Sequence, residues 1–284
     1  MKRWKMLLLL CCAVLLAGCG PHKQSIPGAP NPGDAKRAPG QLPGDETIKN
    51  PEVAYNMALE FAGQRNMEAA HHYIDLASSM QPQSKYSFTK ALLYLSESKF
   101  QEALTYLDLA LQQNPGTEEN RLAVLNAKGV CLMQLNRDDE ALAIFREVVN
   151  TPGLYSRFEP YYNMGVIYLR QNKFLDAEAV FIKVVEENPR YYKAYNKLGI
   201  LAANKGKWGD AAVYFKRALD IMSGDYAATQ SDGAELYFHY GEALFQEKHY
   251  PEARNALMEV LKLAPESRFG TSAKAILSQI GGAE

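Results

Sequence analysis

From residue 51 to residue 265 the apolar positions obey one recurring rule. An alanine closing a short [YFMWD]-x-[EDA]-A pattern is followed by an apolar residue four positions on. A small or β-branched residue comes three further, and in most copies a proline five further. The rule is met at Ala70, Ile74, Ala77 and Pro82, and again at Ala103, Leu107, Ala110 and Pro115. It returns at Ala141, Phe145 and Val148, with Pro152 one residue early, then at Ala177, Phe181, Val184 and Pro189. The fifth copy is Ala211, Phe215 and Ala218 without a proline, and the sixth is Ala253, Leu257, Val260 and Pro265. Twelve residues before each alanine stands a small residue: Ala58, Ala91, Gly129, Gly165, Gly199 or Gly241. Three beyond it comes Phe61, Tyr94, Leu132, Tyr168, Ala202 or Leu244. Offsets of three and four place residues on one helix face. Each copy therefore predicts two helices, the first carrying the small residue and the second the alanine. The small residue lets the two approach closely, and the proline stops the second helix.

A unit of about 34 residues with this pattern resembles the tetratricopeptide repeat, or TPR. The resemblance implies an all-α fold: a right-handed α-solenoid of six helix pairs at about 51–84, 84–117, 122–155, 158–191, 192–225 and 234–267. Successive alanines lie 33, 38, 36, 34 and 42 residues apart, so the extra residues at 116–121, 151–157 and 223–233 predict longer turns or helix extensions. Beyond the repeats, residues 266–284 form a last amphipathic helix and tail, with Phe269, Ala273, Ile276, Leu277 and Ile280 apolar. A helical array needs a terminal cap with a polar outer face, and this helix is the expected cap.

Ahead of the repeats, Lys2, Arg3 and Lys5 precede an apolar run over residues 6–16. A run of about eleven residues is too short for a membrane span of about twenty and reads as a signal peptide, residues 1–18. Leu16-Ala17-Gly18-Cys19 resembles the bacterial lipobox, which is cut just before its cysteine. The resemblance implies that Cys19 is the lipid attachment site, acylated on its thiol (as with palmitate) and on its new amino group. Two or three acyl chains anchor stably where one does not. Gly20, where inner-membrane retention would use Asp, implies the outer membrane, facing the periplasm. Residues 19–50 hold the lipidated Cys and a Pro- and Gly-rich tether that cannot bury a core. Its r.m.s. span is roughly 30 Å. Maturation leaves 28 basic against 32 acidic residues and Cys131 as the only side-chain thiol, so no intrachain disulfide is expected.

Charge and motifs narrow the function. The whole chain carries 31 basic and 32 acidic residues, which gives no electrostatic footprint for nucleic acid. No H-E-x-x-H, G-x-x-x-x-G-K-[ST], G-x-S-x-G or C-x-x-C occurs, so the expectation is a non-enzyme with no cofactor, metal or small-molecule substrate. His71 and His72 are neighbours on a helix and diverge by about 100°, so they read as surface histidines rather than metal ligands. His239 and His249 lack a partner at ligand spacing. Cys131, between Val130 and Leu132, reads as a buried inert thiol. Trp208 occupies the aromatic position before an anchoring alanine and reads as packing.

An array of this kind offers a groove lined by its first helices. With residue one taken seven before the small residue, position five carries Tyr55, Phe88, Asn126, Tyr162, Asn196 and Phe238. Position nine carries Leu59, Leu92, Val130, Val166, Ile200 and Glu242. Apolar residues that face outward suggest a site for an apolar or amphipathic peptide, with Asn56 and Asn163 placed to pair with its backbone. Burial of the same residues between neighbouring helices is the alternative. Asn163, Lys193 and Lys197 also fall where chaperone-binding TPR domains hold part of a carboxylate clamp, but Asn126 and Val130 stand where that clamp needs Lys and Asn.

The segment Asn126-x-x-Gly129-x-x-Leu132, followed by Leu154-Tyr155-Ser156-Arg157 and Tyr161-Tyr162-Asn163-Met164-Gly165, resembles the type IV pilus biogenesis lipoproteins. These are the pilotins of the PilF, PilW and Tgl family. The resemblance covers residues 51 to about 265. It implies an outer-membrane lipoprotein whose TPR groove binds a secretin subunit and aids its localisation and multimerisation in type IV pilus biogenesis. The longer tether and the extra residues at 223–233 depart from that family. Other TPR lipoproteins imply an alternative: a scaffold for peptidoglycan hydrolases, polysaccharide export or other envelope assembly, including accessory proteins of β-barrel assembly.

Overall fold

The computed structural model describes residues 48–152, 156–223 and 229–282. The signal peptide, Cys19 and nearly all of the tether lie outside the described residues, as do Leu154 and Tyr155. The described residues form thirteen helices and no strand. They divide into two compact units that part after Asn150. The first unit holds α1 (Pro51–Gly63), α2 (Met67–Met80), α3 (Ser84–Ser96), α4 (Phe100–Gln112), α5 (Glu118–Gln134) and α6 (Asp138–Asn150). The second holds α7 (Phe158–Arg170), α8 (Phe174–Glu187), α9 (Tyr192–Asn204), α10 (Trp208–Met222), α11 (Gln230–Gln246), α12 (Tyr250–Leu263) and α13 (Arg268–Gly281). The chain is all-α, with repeated helix pairs, as its periodicity predicts.

The helices start where the chain supplies caps. Asn50 accepts a hydrogen bond from the Glu52 amide at 2.9 Å, ahead of Pro51 at the first helical position. Asn66 accepts from the Ala69 amide at 3.1 Å and Ser267 from Gly270 at 3.1 Å. Thr229 and Asp232 make a reciprocal capping box at the start of α11. Two of the sequence insertions become helix extensions: α5, capped by Thr117, and α11, capped by Thr229, each run 17 residues where most of the other helices have 13 or 14. The prolines of the rule sit just past the ends of second helices, with Pro82 after α2 and Pro189 after α8.

The turn inside each pair is the same six times. Five residues before each anchoring alanine the backbone is left-handed: Arg65, Ser98, Asn136, Asn172, Gly206 and Lys248 have φ between 56° and 71°. The residue after each donates its amide five positions back, to the carbonyl of Phe61, Tyr94, Leu132, Tyr168, Ala202 or Leu244, at 2.8–3.0 Å. This six-to-one bond satisfies carbonyls that the first helix would otherwise leave open.

Inside the pair the alanine rule becomes a packing rule. All six alanines are fully buried, and so are the apolar residues four further on, down to Phe215 at 1 % exposure. The small residue of the first helix lies against that apolar side chain. A Cβ added to Gly129 would stand 2.6 Å from Phe145, one on Gly165 2.6 Å from Phe181, and one on Gly199 2.5 Å from Phe215. In the first two repeats the small residue is Ala58 or Ala91 and the residue sixteen on is Ile74 or Leu107, smaller than phenylalanine, whereas in the sixth Gly241 lies against Leu257. Within each unit, consecutive helices pack along the chain. In the second unit α13 closes the end, burying Ala273 and Ile280 with Phe238, Leu257 and Val260. Trp208 packs against the core around Phe215, and Cys131 is a buried free thiol.

Candidate functional site

The first helix of each pair carries the candidate residues. Position nine is half-buried in all six repeats: Leu59, Leu92 and Val130 in the first unit, Val166, Ile200 and Glu242 in the second. Leu59, Leu92 and Ile200 pack one side against the local core and leave the other to solvent. Position five behaves differently. Tyr55, Phe88, Asn196 and Phe238 are buried, at 7, 3, 9 and 9 % exposure, while Asn126 and Tyr162 are half-buried. Neighbouring helices cover the four buried side chains. Asn56, Asn163, Lys193 and Lys197 are half-buried on the same faces.

In the first unit the face is organised around Glu52. Its carboxylate accepts from the Tyr86 hydroxyl at 2.8 Å and pairs with Lys85, whose ammonium lies 5.5 Å from the centre of the Tyr55 ring and 5.0 Å from that of Tyr86. The two rings are 5.2 Å apart. Burial and the adjacent Glu52 carboxylate push the Tyr86 hydroxyl far above its ordinary value, so it stays protonated as a donor. Farther along, Lys90 pairs with Asp75 and lies 4.6 Å from the Tyr106 ring, and Lys128 meets Asp108 at 2.7 Å.

In the second unit the face is organised around two carboxylates of α11. Asp232 accepts from the Tyr192 hydroxyl at 3.2 Å and from the Thr229 amide and hydroxyl at 3.0 and 2.8 Å. Burial opposes its ionisation, but the Thr229 bonds, the charge of Lys193 and the Tyr192 hydroxyl together hold its carboxyl below the usual range. Glu235 accepts from the Asn196 amide nitrogen at 2.9 Å. Tyr162 packs edge-on to Tyr191 at 5.1 Å; burial, then the charges of Glu235 and Asp232, push its hydroxyl up to about 12. Of the sequence candidates, Tyr162, Lys193 and Asn196 thus belong to one polar cluster.

Sequence reasoning missed Glu52, Asp232 and Glu235, which do most to organise these faces. Their partners Tyr86, Tyr192 and Asn196 lie 34 to 40 residues away, beyond any local pattern. It also misplaced His71. That ring is only 19 % exposed, meets Glu97 at 3.0 Å and packs 4.6 Å from Tyr94, so it is a half-buried bridge between α2 and α3 and not a surface histidine. His72 is half-buried against Tyr73.

Among the described residues no group of three or more His, Cys, Asp or Glu could hold a metal ion, and no helix is long and apolar enough to cross a membrane. Family models of the tetratricopeptide repeat match residues 55–118 and 162–227, 94–152, and 234–267. The chain is built of tetratricopeptide repeats. This repeat fold is a protein-interaction scaffold. Its fold is similar to the crystal structure of PilW, a widely conserved type IV pilus biogenesis factor, with a TM-score of 0.65 at 20 % identity, covering 79 % of this chain and 98 % of that one. It is similar to Pseudomonas aeruginosa PilF at a TM-score of 0.67 and 17 % identity, covering 79 % and 96 %. Among curated proteins, 236 residues are 24 % identical to Protein NPGR2 of Arabidopsis thaliana, over 76 % of this chain and 31 % of that protein. Over 94 residues the chain is 30 % identical to Protein O-mannosyl-transferase Tmtc3 of Drosophila melanogaster, 33 % of this chain and 9 % of that one. The chain thus spans a third or less of these curated relatives, and the match to the transferase is confined to that short stretch.

Proposed function

We propose that the protein is a lipid-anchored adaptor of the outer membrane, a pilotin. Its TPR faces hold a segment of a secretin subunit and aid secretin localisation and multimerisation in type IV pilus biogenesis. The observation that carries the binding role is the half-exposed apolar residue at position nine of five successive first helices. Single exposed apolar residues need no explanation, but the same apolar position recurring on the first helices within each unit suits an amphipathic partner segment. The likeness in fold to PilW and PilF supports the pilus assignment, and the lipobox-like tetrad at Cys19 supports the anchor. The chemistry is binding and positioning: the acyl chains set the address and the helix faces select the client.

The test is an immunoblot of SDS-resistant secretin multimers in membranes of a strain lacking the gene, complemented with the unaltered gene or with Cys19→Ala. The expected result is loss of multimers in the deletion, recovery with the unaltered gene, and absent or misplaced multimers with Cys19→Ala. Normal multimers in the deletion strain would overturn the pilotin reading.

A further inference from the structure

Asn196 shares a buried, unpartnered amide oxygen with Asn126 at the same repeat position, and differs from it in being more deeply buried and in facing a carboxylate. Its side chain is nine-tenths buried, and its amide nitrogen is committed to Glu235 at 2.9 Å. Its amide oxygen is buried with no hydrogen-bond partner. A buried acceptor left without a donor costs folding free energy, and a donor from a ligand would offset that cost. Glu235 itself carries no ion pair among the described residues. Lys193, one turn before Asn196, has its ammonium 5.9 Å from the centre of the Tyr192 ring and exerts its field on Asp232. The cluster therefore combines a buried amide oxygen without a donor, a carboxylate with no ion pair among the described residues, and, within the field of that carboxylate, the half-buried ring of Tyr162.

We infer that Tyr162, Asn196 and Glu235 form a subsite for an arginine side chain of the protein segment held on this face. The inference rests on the peptide-binding reading above and names the chemistry of the ligand. A guanidinium has five N–H donors in a planar fork, which can serve the carboxylate and the amide oxygen together. Its flat face stacks on an aromatic ring. Neither a carboxylate nor an apolar side chain would satisfy the amide oxygen, and either would leave Glu235 desolvated without a counter-charge. The oxygen is closed to solvent, so the guanidinium reaches it as the half-exposed side chains around it move aside. The Lys193 ammonium, whose field reaches Asp232 on the same helix as Glu235, repels a second cation there.

The probe is n-butylguanidinium, titrated into the isotope-labelled full chain and followed by NMR at the Asn196 side-chain amide, whose resonances are identified by their loss in Asn196→Ser. Neutral n-butylurea is the control. The expected result is a saturable shift with butylguanidinium and none with butylurea. Binding should be about ten-fold weaker in Glu235→Gln and tighter in Lys193→Gln. Circular dichroism checks that both variants retain their helix content. No saturable shift in the unaltered chain, or equal affinity in the unaltered chain and Glu235→Gln, would overturn the subsite. The titration needs no secretin, so the two readings fail separately. Absent guanidinium binding with lost secretin multimers removes only the subsite. Guanidinium binding with normal multimers keeps the subsite and removes the pilotin.

Discussion

Replacing Gly129 by alanine tests the packing rule that builds every repeat. The new methyl carbon would stand 2.6 Å from Cε1, 2.8 Å from Cζ and 3.0 Å from Cδ1 of Phe145. Carbon atoms settle at about 3.5–4.0 Å, so the ring would have to retreat by about 1 Å. Phe145 is fully buried, and an interior at crystal-like density leaves it nowhere to go. Overpacking of this kind costs about 1–3 kcal/mol, against a gain of about 1 kcal/mol from better helix propensity. The net expectation is a loss of about 1 kcal/mol. Phe145→Leu alone removes buried volume and also costs about 1 kcal/mol. Together the two changes recreate the alanine–leucine pair that Ala91 and Leu107 already form in the second repeat, so the double variant should regain most of the loss. The coupling in the double-mutant cycle is expected to be about 2 kcal/mol, read from urea unfolding followed by circular dichroism. A Gly129→Ala variant more stable than the parent, with an additive double variant, would refute the close-approach argument.

Three further outcomes are expected. Ser98→Gly should stabilise the protein by about 1 kcal/mol in the same assay, because serine holds a left-handed φ of 58° that glycine adopts without a Cβ clash. Thr229→Ala should destabilise the second unit by about 1 kcal/mol, since it removes half of the capping box. Asp232 is held below its ordinary value of 3.8, so its contribution is complete above that value and disappears as pH falls through it toward the lower folded value. Unfolding free energies measured between about pH 6 and about pH 3 should therefore fall less steeply in Asp232→Asn than in the parent.

The repeats were legible because their core contacts are local and spaced by rule: each repeat glycine meets a large apolar partner sixteen residues on, as Gly165 meets Phe181 and Gly241 meets Leu257. The helix extensions at Thr117 and Thr229 show as spacing errors in the sequence, though not whether they would be turns or helix. The left-handed turn position stayed hidden because Gly206 and, more weakly, Asn136 and Asn172 advertise it, while Arg65, Ser98 and Lys248 do not. The face chemistry stayed hidden for another reason. Position five holds aromatic or asparagine residues whether a neighbouring helix or a partner covers them, and only the packing shows Tyr55 and Phe88 buried while Tyr162 stays half-exposed. Glu235 carries no local signal, because its partner Asn196 is 39 residues away on another helix.

The account rests on a partner segment lying against position nine of the first helices. The most direct measurement places a photo-reactive amino acid at Val166 in living cells, with Val213, 69 % exposed on second helix α10, as the comparison site. The expected result is a cross-link to the secretin subunit from Val166 and none from Val213. Cross-linking from Val213 with none from Val166 would place the partner on the opposite helices and contradict the account.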